Sequence, residues 1–219
     1  MNADSSKNSI SQGLYPVEFP SQQEQPYSER TLLTKVEEKA AGGDYDSAIA
    51  VLTQLIERNP SNASSYNNRG LMYSKKGQLD EAIADLSQAI RINTRLDSAY
   101  NNRANCYASQ GNLAAALEDY EVALDFNPGN IRAWINQGIA FRQLGLYDLA
   151  IENFDLALAL GKRLQGRIYA ERGRSYHLRG DWNCAVADYQ RSLCHISNSR
   201  SYYQNVQGWL EELLPPLTA

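Results

Sequence analysis

Large and small apolar residues recur along this chain with a long period. The pattern Gly-x-(Tyr/Leu/Trp)-x-x-Ala places its alanine at Ala48, Ala82, Ala116, Ala150 and Ala185, at spacings of 34, 34, 34 and 35 residues. Counting that alanine as position 20 of a 34-residue unit divides the chain into repeats 29–62, 63–96, 97–130, 131–164 and 166–199, with one extra residue near Gln165. Such self-similarity means that each unit is one supersecondary element stacked on its neighbours. Position 4 is Leu32, Tyr66, Tyr100, Trp134 and Tyr169; position 8 is Val36, Gly70, Ala104, Gly138 and Gly173; position 11 is Lys39, Tyr73, Tyr107, Phe141 and Tyr176. Large, small, large at this spacing predicts one packed face of a first helix. Position 15 is glycine five times (Gly43, Gly77, Gly111, Gly145, Gly180), where a helix has to stop and turn. A second helix follows, with the repeated alanine, an aliphatic residue beside it and another seven residues on. Pro60 and Pro128 close two repeats at position 32, since proline cannot continue a helix.

Several of these positions agree in register over about four fifths of the chain, and the pattern resembles the tetratricopeptide repeat (TPR) family. The resemblance implies an all-α fold: a right-handed α-solenoid of five helix pairs with a concave groove lined by the first helix of each pair. Repeat 1 departs from the pattern at Val36 and Lys39, which predicts looser packing of its first helix. Residues 1–28, rich in Ser and Gln with Pro16, Pro20 and Pro26, read as a disordered or extended tail. Within it the apolar stretch Leu14 to Pro20 could dock in a groove. Residues 200–219 begin with Tyr202, Val206, Trp209, Leu210 and Leu213 at helical spacing and reach Pro215-Pro216, which predicts a capping helix over repeat 5 followed by a short tail.

Composition narrows the function. No run approaches the roughly 18 apolar residues of a membrane span, and Met1 to Ile10 lacks the features of a signal peptide. A protein without direct membrane insertion is expected, cytoplasmic, or stromal if organellar. Cys106, Cys184 and Cys194 are odd in number and far apart, and there are two histidines, so neither a disulfide framework nor a metal site is expected. The net charge of −4 argues against wrapping nucleic acid. No cofactor is implied and the expectation is a non-enzymatic protein. His177, near Arg174, is the one histidine in a tempting place, yet no nucleophile with a base beside it can be argued from the pattern. Cys194-His195 lacks further ligands, and Cys106 reads as packing.

Comparison between repeats separates scaffold from surface. In repeats 2 to 5 position 7 is Arg69, Arg103, Gln137 and Arg172, while position 23 is Asp85, Asp119, Asn153 and Asp188. Charge goes with charge and amide with amide, which predicts a partly buried Arg–Asp pair inside each charged repeat. Positions 2, 5, 6, 9, 12 and 13 then form the opposite stripe of the first helix, facing the groove. Six basic residues on it (Arg30, Lys75, Arg132, Arg142, Arg167, Arg174) meet two acidic ones (Glu37, Glu171), a net +4 that leaves the remainder at −8. Such a groove would steer acidic ligands inward. Asn68, Asn102 and Asn136 at position 6 stand one repeat apart, joined by Asn67 and Asn101 at position 5 and Asn105 at position 9. An amide offers the donor and acceptor that an extended backbone needs, and similar asparagine ladders hold extended peptides in TPR proteins. The chaperone-type carboxylate clamp of that family is matched at Asn105, Asn136 and Arg167 but fails at Asn101 and, by charge reversal, at Glu171.

The expected function is therefore a scaffold that binds an extended, acidic segment of another protein through Asn67, Asn68, Asn101, Asn102, Asn105, Asn136, Arg132, Arg142, Arg167 and Arg174, as adaptor or complex-assembly factor. The alternatives are a self-associating structural TPR protein or a photosynthetic-complex assembly factor. The latter rests on Asn-Arg-Gly and Asn-Arg-Ala signatures that resemble those of some bacterial and chloroplast TPR factors.

Overall fold

The computed structural model describes residues 28–162, 164–196 and 200–213; the N-terminal stretch Leu14 to Pro20 and the Pro215-Pro216 stop lie outside them. Eleven helices account for nearly all the described residues. The first helices of the five pairs are α1 (Glu29–Ala41), α3 (Ala63–Lys75), α5 (Asp97–Ser109), α7 (Ile131–Gln143) and α9 (Gln165–Arg179). Their partners are α2 (Tyr45–Arg58), α4 (Leu79–Ile92), α6 (Leu113–Phe126), α8 (Tyr147–Leu160) and α10 (Trp182–His195), and α11 (Arg200–Leu213) follows. Each helix packs on its chain neighbours, and α3, α5, α7 and α9 also touch one another in sequence, so the pairs stack into an all-α solenoid.

Local chemistry sets the helix boundaries. The position-15 glycines all adopt left-handed backbone, with φ from 76° at Gly43 to 95° at Gly180. That conformation lets the following amide close the helix: Gln78 N donates to Tyr73 O at 3.0 Å and Asn112 N to Tyr107 O at 2.9 Å. Asp44, Asn62, Asn112 and Asn130 cap the next helix by accepting from a backbone amide in its first turn. The extra residue of the repeat 4 to 5 junction falls where Leu164 sits at φ 67°, a left-handed conformation costly for a side chain of that shape.

The large-small alternation is a knob in a hole. All five position-20 alanines are fully buried. Position 24 carries Leu86, Tyr120, Phe154 and Tyr189, each at most 2% exposed, packed against the small position 8 of the first helix. A methyl group on Gly138 would lie 2.9 Å from the Phe154 ring, and one on Gly173 2.9 Å from the Tyr189 ring. In repeat 1, Leu32 and Val36 are buried while most of α1 is exposed, so that helix is held by two anchors. At the other end α11 buries Val206 and Leu210 against Ala170, Ala185 and Tyr189, which closes the last core.

Candidate functional site

The Arg–Asp pairs tie the first helix of each charged repeat to its second. Arg103 Nε and Nη2 donate to both oxygens of Asp119 at 2.7 and 2.8 Å, and Arg69 with Asp85 and Arg172 with Asp188 repeat the fork. The remaining Nη1 reaches the preceding repeat, to Thr53 Oγ1 from Arg69 and to Ser87 Oγ from Arg103, both at 3.0 Å, and to Asp155 from Arg172. Each guanidinium also lies between the rings of positions 4 and 11, with Arg103 at 5.8 Å from Tyr100 and 5.9 Å from Tyr107. The bonded Asp119 carboxylate raises the Arg103 guanidinium above its ordinary pKa. The third acceptor, always at position 25 of the preceding repeat, escaped the sequence reading; the series Thr53, Ser87, Asp155 was its signal. A second unforeseen tie joins position 14 to position 18 of the preceding repeat: Lys76 to Asp46, Gln110 to Asp80 at 2.8 Å, and Arg179 to Asp148. The amide repeat behaves differently. Asn153 Nδ2 turns to Leu149 O at 2.8 Å, and among the described residues no hydrogen bond joins it to Gln137.

On the side of the first helices, α3, α5, α7 and α9 enclose a groove of about 880 Å³. Asn102, Asn105 and Asn136 are half-buried along it, and among the described residues Lys75, Arg132 and Arg167 are its charged lining, with no carboxylate. The amides are tied from repeat to repeat: Asn102 Nδ2 donates to Asn67 Oδ1 at 3.0 Å, Asn136 Nδ2 to Asn105 Oδ1 at 2.9 Å, and Arg167 Nη2 to Asn136 Oδ1 at 3.4 Å. Tyr120, whose hydroxyl burial pushes well above its usual pKa and so keeps protonated, donates to Asn105 Oδ1 at 2.6 Å. Each amide nitrogen carries two hydrogens, so Asn102 and Asn136 keep one N–H beyond the ladder. The ladder thereby fixes the orientation of the groups a ligand would meet.

Other expected members are placed differently. Asn67 and Asn101 at position 5 are buried, 8% exposed each, and lie in the floor of the groove rather than on its open surface. Asn68 is half-buried and accepts from Asn67 Nδ2 at 3.3 Å. Arg142 is bound within the protein, donating to Glu171 Oε2 at 2.7 Å and to the Glu171 carbonyl at 3.0 Å. Arg174 is covered by α11, 3.6 Å from Glu212 and 5.4 Å over the Trp209 ring. At the repeat 5 end Glu171, already counted in the stripe's +4, is paired with Arg142, and Glu212 from α11 sets one further negative charge beside Arg174. His177 Nδ1 lies 3.3 Å from Tyr189 Oη and 3.3 Å from Arg174 Nη1; burial, and then the Arg174 charge, push its pKa below the ordinary value.

A stack of helix pairs with one open, amide-lined face is the architecture of a helical-repeat interaction scaffold. The chain belongs to the tetratricopeptide repeat family. Models described as "Tetratricopeptide repeat" match residues 61–127 and 131–160, and one described as "TPR repeat" matches residues 38–77. Among curated proteins none matches. Solved structures share the fold: PilW, a widely conserved type IV pilus biogenesis factor, is 19% identical with a TM-score of 0.75, covering 84% of each chain. A thermophilic TPR protein in Thermus thermophilus is 19% identical with a TM-score of 0.68, over 85% of this chain and 98% of its own. MamA is 23% identical with a TM-score of 0.62, over 72% of this chain and 92% of its own. The protein is thus a protein–protein interaction scaffold of the TPR class.

Proposed function

We propose that this scaffold holds an extended, acidic segment of another protein in its concave groove, acting as an adaptor or complex-assembly factor without catalysis of its own. One observation carries the reading: among the described residues the roughly 880 Å³ groove is lined by amides from successive repeats and by three cations, with no carboxylate. Pre-oriented amides recognise a peptide backbone irrespective of side chain, while Arg132 and Arg167 select negative charge at one end.

The two elements fail in different ways. Asn102→Ala with Asn136→Ala should weaken every groove ligand by roughly 1 kcal/mol per lost amide contact, with the salt dependence unchanged. Arg132→Ala with Arg167→Ala should weaken acidic ligands selectively and flatten the dependence on ionic strength, because the lost attraction is a screened one. The measurement is a pull-down with the wild-type protein as bait, followed by titration of the recovered partner against both variants. Equal affinity of wild type and both variants would move the binding site off this groove.

A further inference from the structure

The side of the second helices carries a second cavity, of about 540 Å³, between α6, α7 and α8. It occupies the place in repeat 4 where repeats 2, 3 and 5 hold their own guanidinium. In those repeats the arginine lies between two aromatic rings, forks onto an aspartate through Nε and Nη2, and donates from Nη1 to position 25 of the preceding repeat. Repeat 4 keeps the frame without the cation. Its aromatic positions are Trp134 and Phe141, its position 25 partner is Glu121, and Gln137 with Asn153 stand where the arginine and aspartate would be.

Three further observations point to a cation from outside. Asn153 is 6% exposed, and among the described residues its Oδ1 accepts no hydrogen bond, a costly state for a buried acceptor. Among the described residues the cavity is lined by three carboxylates, Glu121, Asp125 and Glu152, and by no basic residue. Leu149 and Leu156 on its α8 wall are 42% and 40% exposed, so apolar surface flanks the polar centre.

We propose that this cavity is a receptor for an arginine side chain, flanked by apolar residues, of a partner protein. The guanidinium takes the place between Trp134 and Phe141, donates to Asn153 Oδ1 and Glu121, and completes in trans the cluster that three sibling repeats complete in cis. Arginine is favoured over lysine because its planar fork satisfies two acceptors while its faces stack on rings. The site is separate from the concave groove and stands or falls independently of it.

The probe is the tripeptide acetyl-Leu-Arg-Leu-amide, compared with the same peptide carrying neutral citrulline. Binding is followed through the Trp134 indole and the α6 and α8 amide resonances of the full chain. The arginine peptide should shift these signals and bind at least about tenfold more tightly than the citrulline peptide, the scale of a hydrogen bond to a charged group. The double variant Gln137→Arg with Asn153→Asp fills the cavity with the chain's own pair and should abolish the shifts. Should that variant fail to fold, Glu121→Gln, on an exposed side chain, should weaken arginine binding several-fold while leaving citrulline binding unchanged. Equal binding of the two peptides, no shift up to about 10 mM peptide, or full binding by a folded plugged variant would overturn the proposal. Concentration-dependent shifts without peptide would assign the cavity to a second copy of this chain and overturn it as well.

Discussion

At the scale of single residues, the scaffold depends on guanidinium groups that are nearly surrounded. Asp119 is 6% exposed and accepts both forked bonds of Arg103, whose flat faces are occupied by two tyrosines. A surface ion pair contributes little, but removing one partner of a buried pair strands the other charge. Asp119→Ala should therefore destabilise the protein by about 2–4 kcal/mol, read in a thermal or denaturant melt. A melt that coincides with wild type would show that Arg103 finds water or another acceptor once freed.

At the scale of elements, two rules compete at position 8. Glycine inside a helix is unfavourable by about 1 kcal/mol relative to alanine, so propensity alone makes Gly173→Ala stabilising. Packing opposes it, since the added methyl would meet two ring atoms of fully buried Tyr189 at 2.9 Å. Tyr189 is itself held between α9 and the ring of Trp209, 6.0 Å away on α11, and burial pushes its hydroxyl pKa up to about 12. With so little room to yield, overpacking should outweigh propensity, and Gly173→Ala should cost about 1–3 kcal/mol in a chemical melt. An unchanged or higher midpoint would mean that α10 and α11 shift together to make space. α11 also decides charge at this end, because it brings Glu212 to Arg174 and the Tyr202 hydroxyl to Glu171 Oε1 at 3.3 Å.

For the whole molecule, stability is close to a sum over neighbouring repeats, so the weakest junction sets where it opens. Among the described residues the junction of repeats 3 and 4 carries neither recurrent polar tie of the second-helix side. Gln137 stands at position 7 and Leu144, 47% exposed, at position 14, facing Glu121 and Ala114 in place of a matched pair. Its bridge on the groove side is Asn136 to Asn105, and α6 with α7 has the least extensive contact of the four repeat junctions. Native-state hydrogen exchange in low denaturant should resolve two cooperative units that meet between Asn127 and Ile131. A single unfolding free energy across both sides would refute this. The arginine cavity lies at the same junction, so filling it by Gln137→Arg with Asn153→Asp should also merge the two units.

The repeat register, the helix pairs with their glycine stops, and the Arg–Asp pairs were legible in the chain itself. Those properties depend on residue type at fixed spacing, and five internal copies let each position be checked against its equivalents. The open surface was not legible to the same degree. Positions 5 and 6 are adjacent on one helix stripe, and only the rotation of one pair against the next decides that Asn101 is buried in the groove floor while Asn102 stays half-open to it. Side-chain reach decides the rest: Arg142 crosses to Glu171 one repeat away, and Arg174 is covered by a helix outside the repeats. Spacing along the chain determines which residues share a face; contacts between repeats determine which charges on that face remain free, because a partner one repeat away is about 30 residues distant in sequence and adjacent only in space.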